Sequence, residues 1–343
     1  MNYTLKIVEI RKETEDAITL CFKQPGLKKV KYLAGQYLTL IFRINGRRYV
    51  RPYSFSSCPS VDEFLEITVK RVPMGIVSNH INDVVKVGDV VEVMPPMGDF
   101  IYHPNPKIDS VYLWGAGSGI TPLISLAKHI LHMEPSVHVN LIFGNRNYES
   151  VICADQIGAL AEKFSVNFVV KHFHTKLSVH KSNAFVVEGR ISHPEVLKII
   201  EGEKNLENSL HYICGPVGLK TSVKEALVDS SVLLENIFVE DFELIRDPKE
   251  YDDILSQSIQ LDFNGDEIML EVTKGRSILE AALDADIELP YSCQTGNCSS
   301  CLGELLSGDI RMIGLSKPRN DLGKTKILLC CSHPLSDNVH VKI

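Results

Sequence analysis

The sequence predicts a chain of three domains: an antiparallel β-barrel, then an α/β domain with a parallel sheet, then a small α+β unit. Three observations carry this. From Met1 to about Pro106, short apolar strands are separated by Pro-Gly, Asn-Gly and Gly-Asp turns, the pattern of a barrel. Apolar strands then alternate with helical segments to about Glu243, which is how a parallel sheet reads. Closely spaced cysteines dominate the final unit.

In the first domain (residues 1–106), segments 17–22, 37–44, 64–69 and 90–94 read as strands. Pro104-Asn105-Pro106 marks its end. In the second (107–243), strands are expected at 111–114, 137–143, 166–170, 211–214 and 237–240, with helices at 121–132, 155–163 and 217–229. Residues 244–255 form a linker whose charge, proline and lack of apolar period read as a solvated tether. The third domain (256–343) starts with a hairpin, 259–263 and 268–272, around Asn264-Gly265-Asp266. A short helix at 277–285 precedes the cysteine loop.

A length of 343 residues accommodates two or three such domains, and with 44% hydrophobic and 23% charged residues large cores, not disorder, are expected. A net charge of −7 argues against nucleic acid as a partner. The N-terminus alternates like a strand and has no targeting core. No apolar stretch approaches the ~18 residues of a membrane span, so a soluble cytoplasmic protein with no membrane contact is expected. Nine cysteines without a signal peptide point to a reducing compartment, where thiols stay available for metal.

Within the barrel, Arg51-Pro52-Tyr53-Ser54-Phe55-Ser56-Ser57 sets a cation, a ring and a hydroxyl on one strand. The two-residue period puts Arg51 and Tyr53 on one face and Ser54 on the other, unless Pro52 bends the strand. An Arg suits a pyrophosphate, a Tyr ring packs on a flat heterocycle, and a Ser hydroxyl bonds a ring nitrogen. An ordinary strand end with a surface Arg has the same pattern. Gly75 opens a short helix bearing Ser78. Its N–H groups and hydroxyl suit a phosphate, although a plain capped helix start looks alike.

In the second domain, strand 111–114 runs into Gly115-Ala116-Gly117-Ser118-Gly119-Ile120-Thr121-Pro122. Glycines between strand and helix let the backbone approach a pyrophosphate at the positive helix end. The dinucleotide fingerprint G-x-G-x-x-G is not met, because Ile120 takes its last position. Pro122 reads as the first helical residue. Strand 211–214 ends in Cys214-Gly215-Pro216, and strand 237–240 in Glu240-Asp241-Phe242. A buried strand cysteine is the plain alternative for Cys214.

Cys293, Cys298 and Cys301 are spaced C-x4-C-x2-C, with Cys330 and Cys331 downstream. This is the plant-type ligand pattern for a 2Fe–2S cluster. Each iron takes two terminal thiolates, and Gly296 suits a loop that curls without collision. Zinc sites pair C-x2-C units symmetrically, and a disulfide framework belongs to short secreted chains. The cluster is the better reading. The adjacent cysteines leave two candidates for the fourth ligand.

In order along the chain, the R-x-Y-S strand, the G-x-x-S turn, the G-x-G-x-G-x-T-P run, the C-G-P strand end and the Glu-x-Phe ending resemble the ferredoxin–NADP reductase superfamily. With the cysteine tail, the whole chain is similar to oxygenase reductase components with a C-terminal plant-type 2Fe–2S ferredoxin domain, the phenylacetyl-CoA epoxidase reductase type among them. The resemblance implies a flavin barrel holding FAD, an NAD(P)H-binding α/β domain and a β-grasp ferredoxin domain. It implies that Arg51 binds the pyrophosphate, with Pro52 in the same motif, that Tyr53 and Ser54 contact the isoalloxazine, and that Gly75 and Ser78 hold phosphate. Gly115, Gly117, Gly119, Thr121, Gly215 and Pro216 would receive the nicotinamide dinucleotide, with Cys214 beside the nicotinamide C4 edge. Glu240 would help a proton path and Phe242 would cover the flavin. The Cys-x-x-x-Pro ending at Pro334 resembles plant-type ferredoxins and selects Cys330. Arg146, with Lys171 and Lys176 beyond the next strand, offers cations to a 2′-phosphate, which leans the choice towards NADPH over NADH.

A nicotinamide delivers two electrons as hydride, a 2Fe–2S cluster takes one, and a flavin bridges them because it is stable at three oxidation levels. The expected path runs from NAD(P)H through FAD and the cluster to an oxygenase or hydroxylase component, in a monomeric enzyme. Ser54, Cys214 and Glu240 are its candidate catalytic residues. Another acceptor protein, or a redox-sensing iron–sulfur flavoprotein, would carry the same motifs.

Overall fold

The computed structural model describes residues 2–26, 29–176, 186–203, 205–315 and 317–343. By compactness the chain divides into residues 1–40 with 53–240, and 41–52 with 241–343.

The first region contains β1 (Tyr3–Lys12), β2 (Ala17–Phe22), β3 (Tyr37–Ile44), β4 (Arg47–Ser54), β5 (Leu65–Lys70), α1 (Ile76–Asp83) and β6 (Val90–Val93). The strands form one sheet in the order β4-β3-β6-β1-β2-β5. β1 is antiparallel to both β2 and β6, and β2 to β5. Past β4, Ser56 N donates to Glu66 O at 2.9 Å and Phe55 bridges Ile67, so the sheet curls back onto its far edge. Leu5, Ile7, Leu20, Leu38 and Ile67 are buried inside it. Between β3 and β4, Asn45 and Gly46 both have positive φ (51° and 82°), the two-residue turn that matches strand twist.

The next elements are β7 (Ser110–Ala116), α2 (Ile120–Met133), β8 (His138–Asn145), α3 (Ala154–Lys163), β9 (Phe168–His174), β10 (Val186–Glu188), α4 (His193–Ile200), β11 (Ser209–Cys214), α5 (Val217–Asp229) and β12 (Ile237–Glu240). All six strands are parallel, in the order β10-β9-β8-β7-β11-β12. One face packs Leu113, Leu141 and Phe143 against Leu123, Ile124, Ile157 and Leu160. The other packs Trp114, Ile142 and Ile213 against Val196, Val223 and Leu227. The strand order reverses between β7 and β11, so their carboxyl ends border the crevice where such sheets receive ligands. β9 begins later than 166–170 would have it, because Val166 is 87% exposed and lies before the strand. β10 and α4 were not foreseen. β10 has three residues, and α4 a single Ser192-His193-Pro194 start signal.

The C-terminal elements are β13 (Gln257–Phe263), β14 (Asp266–Val272), α6 (Ile278–Asp284), β15 (Leu302–Ser307), β16 (Ile310–Met312), β17 (Lys326–Leu328), β18 (Ser332–Pro334) and β19 (His340–Lys342). A mixed sheet runs β14-β13-β19-β15-β17, with β13 parallel to β19 and antiparallel to β14. α6 starts on a reciprocal cap. Glu280 N donates to Ser277 Oγ (3.2 Å), and Ser277 N to Glu280 Oε2 (2.9 Å). The segment read as a solvated tether is held in place: Arg246 pairs with Glu280 (2.6 Å), Asp253 with Arg311 (2.7 Å), and Tyr251 meets His333 edge-on at 5.1 Å. Ion pairs leave no apolar period, which is why composition reads this segment as loose. Among the described residues, no helix is long and apolar enough to cross a membrane.

Candidate functional site

On β4, Ser54 is 5% exposed while Arg51, Pro52 and Tyr53 are half-buried. Burial does not alternate over Arg51, Pro52 and Tyr53, and among these four residues only Ser54 is buried. Arg51 donates to the Val50 carbonyl at 2.8 Å. Just past Ser54, helix α2 grips the chain. Ser125 Oγ donates to Ser57 O (2.6 Å), and Lys128 donates to Ser56 O (3.1 Å) and pairs with Asp62 (2.9 Å). Lys128 is only 6% exposed, so both partners are needed to offset the desolvation of its ammonium. These two residues were not singled out from sequence. Their signal is a Ser and a Lys one turn apart among the buried apolar residues of the helix.

Gly75 caps α1, and a Cβ there would come within 2.7 Å of Ser78 Oγ. Ser78 is 7% exposed and its oxygen accepts from Val72 N at 3.1 Å. What the hydroxyl still offers a phosphate is its O–H.

At the carboxyl edge of the parallel sheet, Gly115 on β7 is the register partner of Cys214 on β11, and Cys214 of Glu240 on β12. Three candidates far apart in sequence therefore stand side by side at the switch point. A Cβ at Gly119 would lie 2.1 Å from the Cys214 carbonyl oxygen and 3.0 Å from Gly215 N, and one at Gly115 would lie 2.7 Å from Leu123. Gly117 adopts φ +55°. Only glycine lets this turn lie against the C-G-P strand end, and the resulting backbone cradle fits a dinucleotide phosphate. Thr121 Oγ1 donates to Ser118 O at 3.1 Å, closing the turn. Pro122 is the third residue of α2, not the first, since Gly117–Gly119 forms a 3-10 turn and Ile120 begins the helix. The first turn still tolerates it, because its N–H would have no intrahelical partner. Cys214 has no exposed surface and Phe242 is 44% exposed. Arg146 follows β8, where its carbonyl accepts from Lys176 N at 2.7 Å.

In the C-terminal unit the Cys293 thiol lies against that of Cys298, and the Cys330 thiol against those of both Cys301 and Cys331. A hydrogen bond from Cys293 holds the Cys298 thiol well below its ordinary pKa. Among the described residues no three metal-binding side chains converge on one point. Cys293 with Cys298, and Cys301 with Cys330, would give each of two irons two terminal thiolates, and Cys331 adjoins the second of these. The N–H groups of Thr295 and Cys298 both donate to Cys293 Sγ at 3.4 Å, the sulfur-directed bonding that tunes such centres. Gln294 (φ 58°) and Gly296 (φ 75°) curl the loop. Cys331 is buried and its thiol donates to Leu328 O at 3.4 Å. The donor set fits a 2Fe–2S cluster.

The hairpin tip 41–52 belongs to the same compact unit. Val50 N donates to Tyr291 Oη (3.2 Å), and Gln294 Nε2 to Val50 O (3.4 Å). The cluster loop thus shares a carbonyl acceptor with Arg51. Arg43 pairs with Glu288 (2.8 Å), and Arg47 with Asp284 (3.3 Å) while also donating to Leu283 O.

Comparison with known proteins accords with this arrangement. Residues 4–102 match the oxidoreductase FAD-binding domain, 113–225 the oxidoreductase NAD-binding domain, and 261–335 the 2Fe-2S iron-sulfur cluster binding domain. The ferredoxin reductase component of 3-ketosteroid-9-alpha-monooxygenase from Rhodococcus rhodochrous is 30% identical, over 99% of this chain and 95% of that one. A component of 1,2-phenylacetyl-CoA epoxidase from Escherichia coli (strain K12) is 27% identical, over 99% and 97%. Phthalate dioxygenase reductase has the same fold, with TM-score 0.68 at 24% identity, over 100% of this chain and 98% of that one. The chain belongs to the family of NAD(P)H-dependent ferredoxin-type reductases that combine an FAD-binding domain, an NAD-binding domain and a C-terminal 2Fe–2S domain.

Proposed function

We propose that this reductase passes electrons from NAD(P)H to the oxygenase or hydroxylase component of a multicomponent system, as a cytoplasmic monomer with no membrane contact. Bound FAD would supply the conversion between the two-electron chemistry of nicotinamide and the one-electron chemistry of the cluster. The chain's task is alignment. Arg51 clamps the pyrophosphate of FAD beside Pro52, Tyr53 packs on its ring and buried Ser54 offers it a hydroxyl. Gly75 and Ser78 meet phosphate. Gly115, Gly117, Gly119, Thr121, Gly215 and Pro216 form the cradle for NAD(P)H, Cys214 and Glu240 position the nicotinamide and supply the proton, and Phe242 covers the flavin. Arg146 meets a 2′-phosphate. Cys293, Cys298, Cys301 and Cys330 hold the cluster, within domains bounded at 1–106, 107–243 and 256–343.

The observation that carries this reading is the register of Gly115, Cys214 and Glu240 at the switch point of a parallel sheet. Helix α2, which leaves that switch point, also carries the groups that grip the chain just past Ser54. The two candidate sites are therefore set by one rigid element, the requirement for hydride transfer between bound partners.

Turnover tests it. NADPH or NADH should support rapid reduction of both ferricyanide and cytochrome c, and Arg146→Ala should raise the KM for NADPH while sparing that for NADH. Failure of both acceptors would leave a sensor rather than a reductase. A single symmetric peak of dimer size in gel filtration would remove the monomer.

A further inference from the structure

Arg319 lies outside every motif described above, and its side chain is only 13% exposed. Nε donates to Asp321 Oδ1 (2.8 Å). One terminal nitrogen donates to the carbonyls of Gly296 (2.7 Å) and Cys298 (3.3 Å). The other donates to Ser299 Oγ (3.0 Å) and Asp321 Oδ2 (2.8 Å). A guanidinium has five N–H donors in a fixed fork, and each of these has an acceptor.

Three of those acceptors belong to the loop that carries Cys293, Cys298 and Cys301. The division of labour within the loop is informative. Its carbonyls at Gly296 and Cys298 are taken up by Arg319, while its N–H groups at Thr295 and Cys298 serve Cys293 Sγ. A peptide loop left alone presents both kinds of group to water. Fixing these carbonyls on a cation holds the peptides on either side of Asn297 and Cys298, and so the turn from which the Thr295 and Cys298 N–H groups reach Cys293 Sγ. The loop has little room to relax otherwise, since a Cβ at Gly296 would sit 2.3 Å from Leu315 Cδ2.

Charge follows the same geometry. A partly desolvated cation against the cluster loop favours the more negative, reduced form of a bound cluster. Asp321 opposes this, but its side chain is 62% exposed, so water screens its charge more than that of Arg319. Lys cannot replace this fork, because an ammonium has neither the planar shape nor five donors.

We propose that Arg319 is a positioning residue for the 2Fe–2S cluster, holding the loop N–H groups on the Cys293 sulfur and, with Asp321 as its counterweight, setting how readily the cluster takes an electron. This rests on the cluster reading above.

The test uses the full-length protein and the variants Arg319→Gln, Arg319→Lys and Asp321→Asn. The readouts are iron and sulfide content, the EPR signal of the reduced cluster and its midpoint potential. Arg319→Gln should make one-electron reduction less favourable by about tenfold, about 59 mV for a one-electron couple. Asp321→Asn should shift the potential in the opposite direction. Arg319→Lys should stay near the wild-type potential but lose iron faster. Potentials for Arg319→Gln and Asp321→Asn that move together, or stay at the wild-type value, would overturn the proposal. Should Arg319→Gln hold no cluster, Asp321→Asn and Arg319→Lys still decide it. A wild-type protein with no iron, sulfide or EPR signal refutes the cluster reading itself, a distinct result.

Discussion

Gly119→Ala adds one methyl where the structure has no room for it. The new Cβ would lie 2.1 Å from the Cys214 carbonyl oxygen and 2.5 Å from its carbon. Relaxed C···O contacts settle at about 3.3–3.6 Å, so the methyl is about 1.2 Å too close. The obstacle is backbone at the carboxyl end of β11, held between β7 and β12, which cannot rotate away. Overpacking of this kind costs about 1–3 kcal/mol. If the glycine turn retreats from β11, the cost falls on nucleotide binding, and at about tenfold per 1.4 kcal/mol the KM for NAD(P)H rises roughly 5- to 150-fold. If the turn holds, the cost falls on stability and thermal unfolding shifts down by several degrees. The assay is ferricyanide reduction across nicotinamide concentrations, paired with a thermal melt. Gly218→Ala is the control, because no atom lies within 4 Å of its added Cβ. A Gly119→Ala protein with KM within about twofold of wild type and an unchanged melt would refute the cradle.

Three further outcomes are expected. Cys330→Ser should abolish the 2Fe–2S EPR signal and cytochrome c reduction, while Cys331→Ser, whose thiol is occupied by Leu328 O, should retain both; the reverse result would move the fourth ligand to Cys331. Tyr291→Phe and Gln294→Ala each remove one hydrogen bond to Val50, worth about 1 kcal/mol, and should slow cytochrome c reduction about fivefold with ferricyanide reduction unchanged; equal loss with both acceptors would contradict a role at the cluster loop. His211 is buried, with Nδ1 accepting from Trp114 Nε1 (3.2 Å) and Nε2 against Ser209 Oγ (2.9 Å), and burial pulls its pKa down to about 3. The unfolded chain binds a proton below about pH 6.5 and the folded chain does not until near the depressed value. The stability His211 confers is therefore full above about pH 6.5 and is lost as pH falls towards 3, by about 1.4 kcal/mol per unit. Urea midpoints at about pH 7 and pH 5 measure this, His211→Gln should flatten the slope, and equal midpoints in the wild type would contradict it.

Much of the fold was legible because it rests on local chemistry. Segments 17–22, 37–44, 217–229 and 237–240 coincide with β2, β3, α5 and β12, each bounded by a turn residue or cap that names its end. The cysteine spacing likewise declares its chemistry, since ligands three and five residues apart on one loop have few other uses. What could not be read depends on contacts between distant segments. The three-residue β10 gains its pairing from β9 and carries no period of its own. The tether at 245–253 is held by Glu280, Arg311 and His333, and the nearest of these pairings already spans 34 positions. Lys128 looked like an ordinary helical lysine until Ser56 and Asp62 stood beside it. Arg319 gives no sign in sequence that its fork closes the cysteine loop, because its acceptors there include backbone carbonyls, and every residue has one.

An anaerobic titration of the purified protein with reduced nicotinamide, followed by visible absorbance and EPR on the same samples, bears most directly on the whole. Bleaching of a flavin band together with growth of a reduced 2Fe–2S signal, two electrons entering the first centre and one the second, is the predicted result. A flavin that bleaches beside a cluster that never reduces, or protein that holds neither after reconstitution with FAD, iron and sulfide, would contradict it.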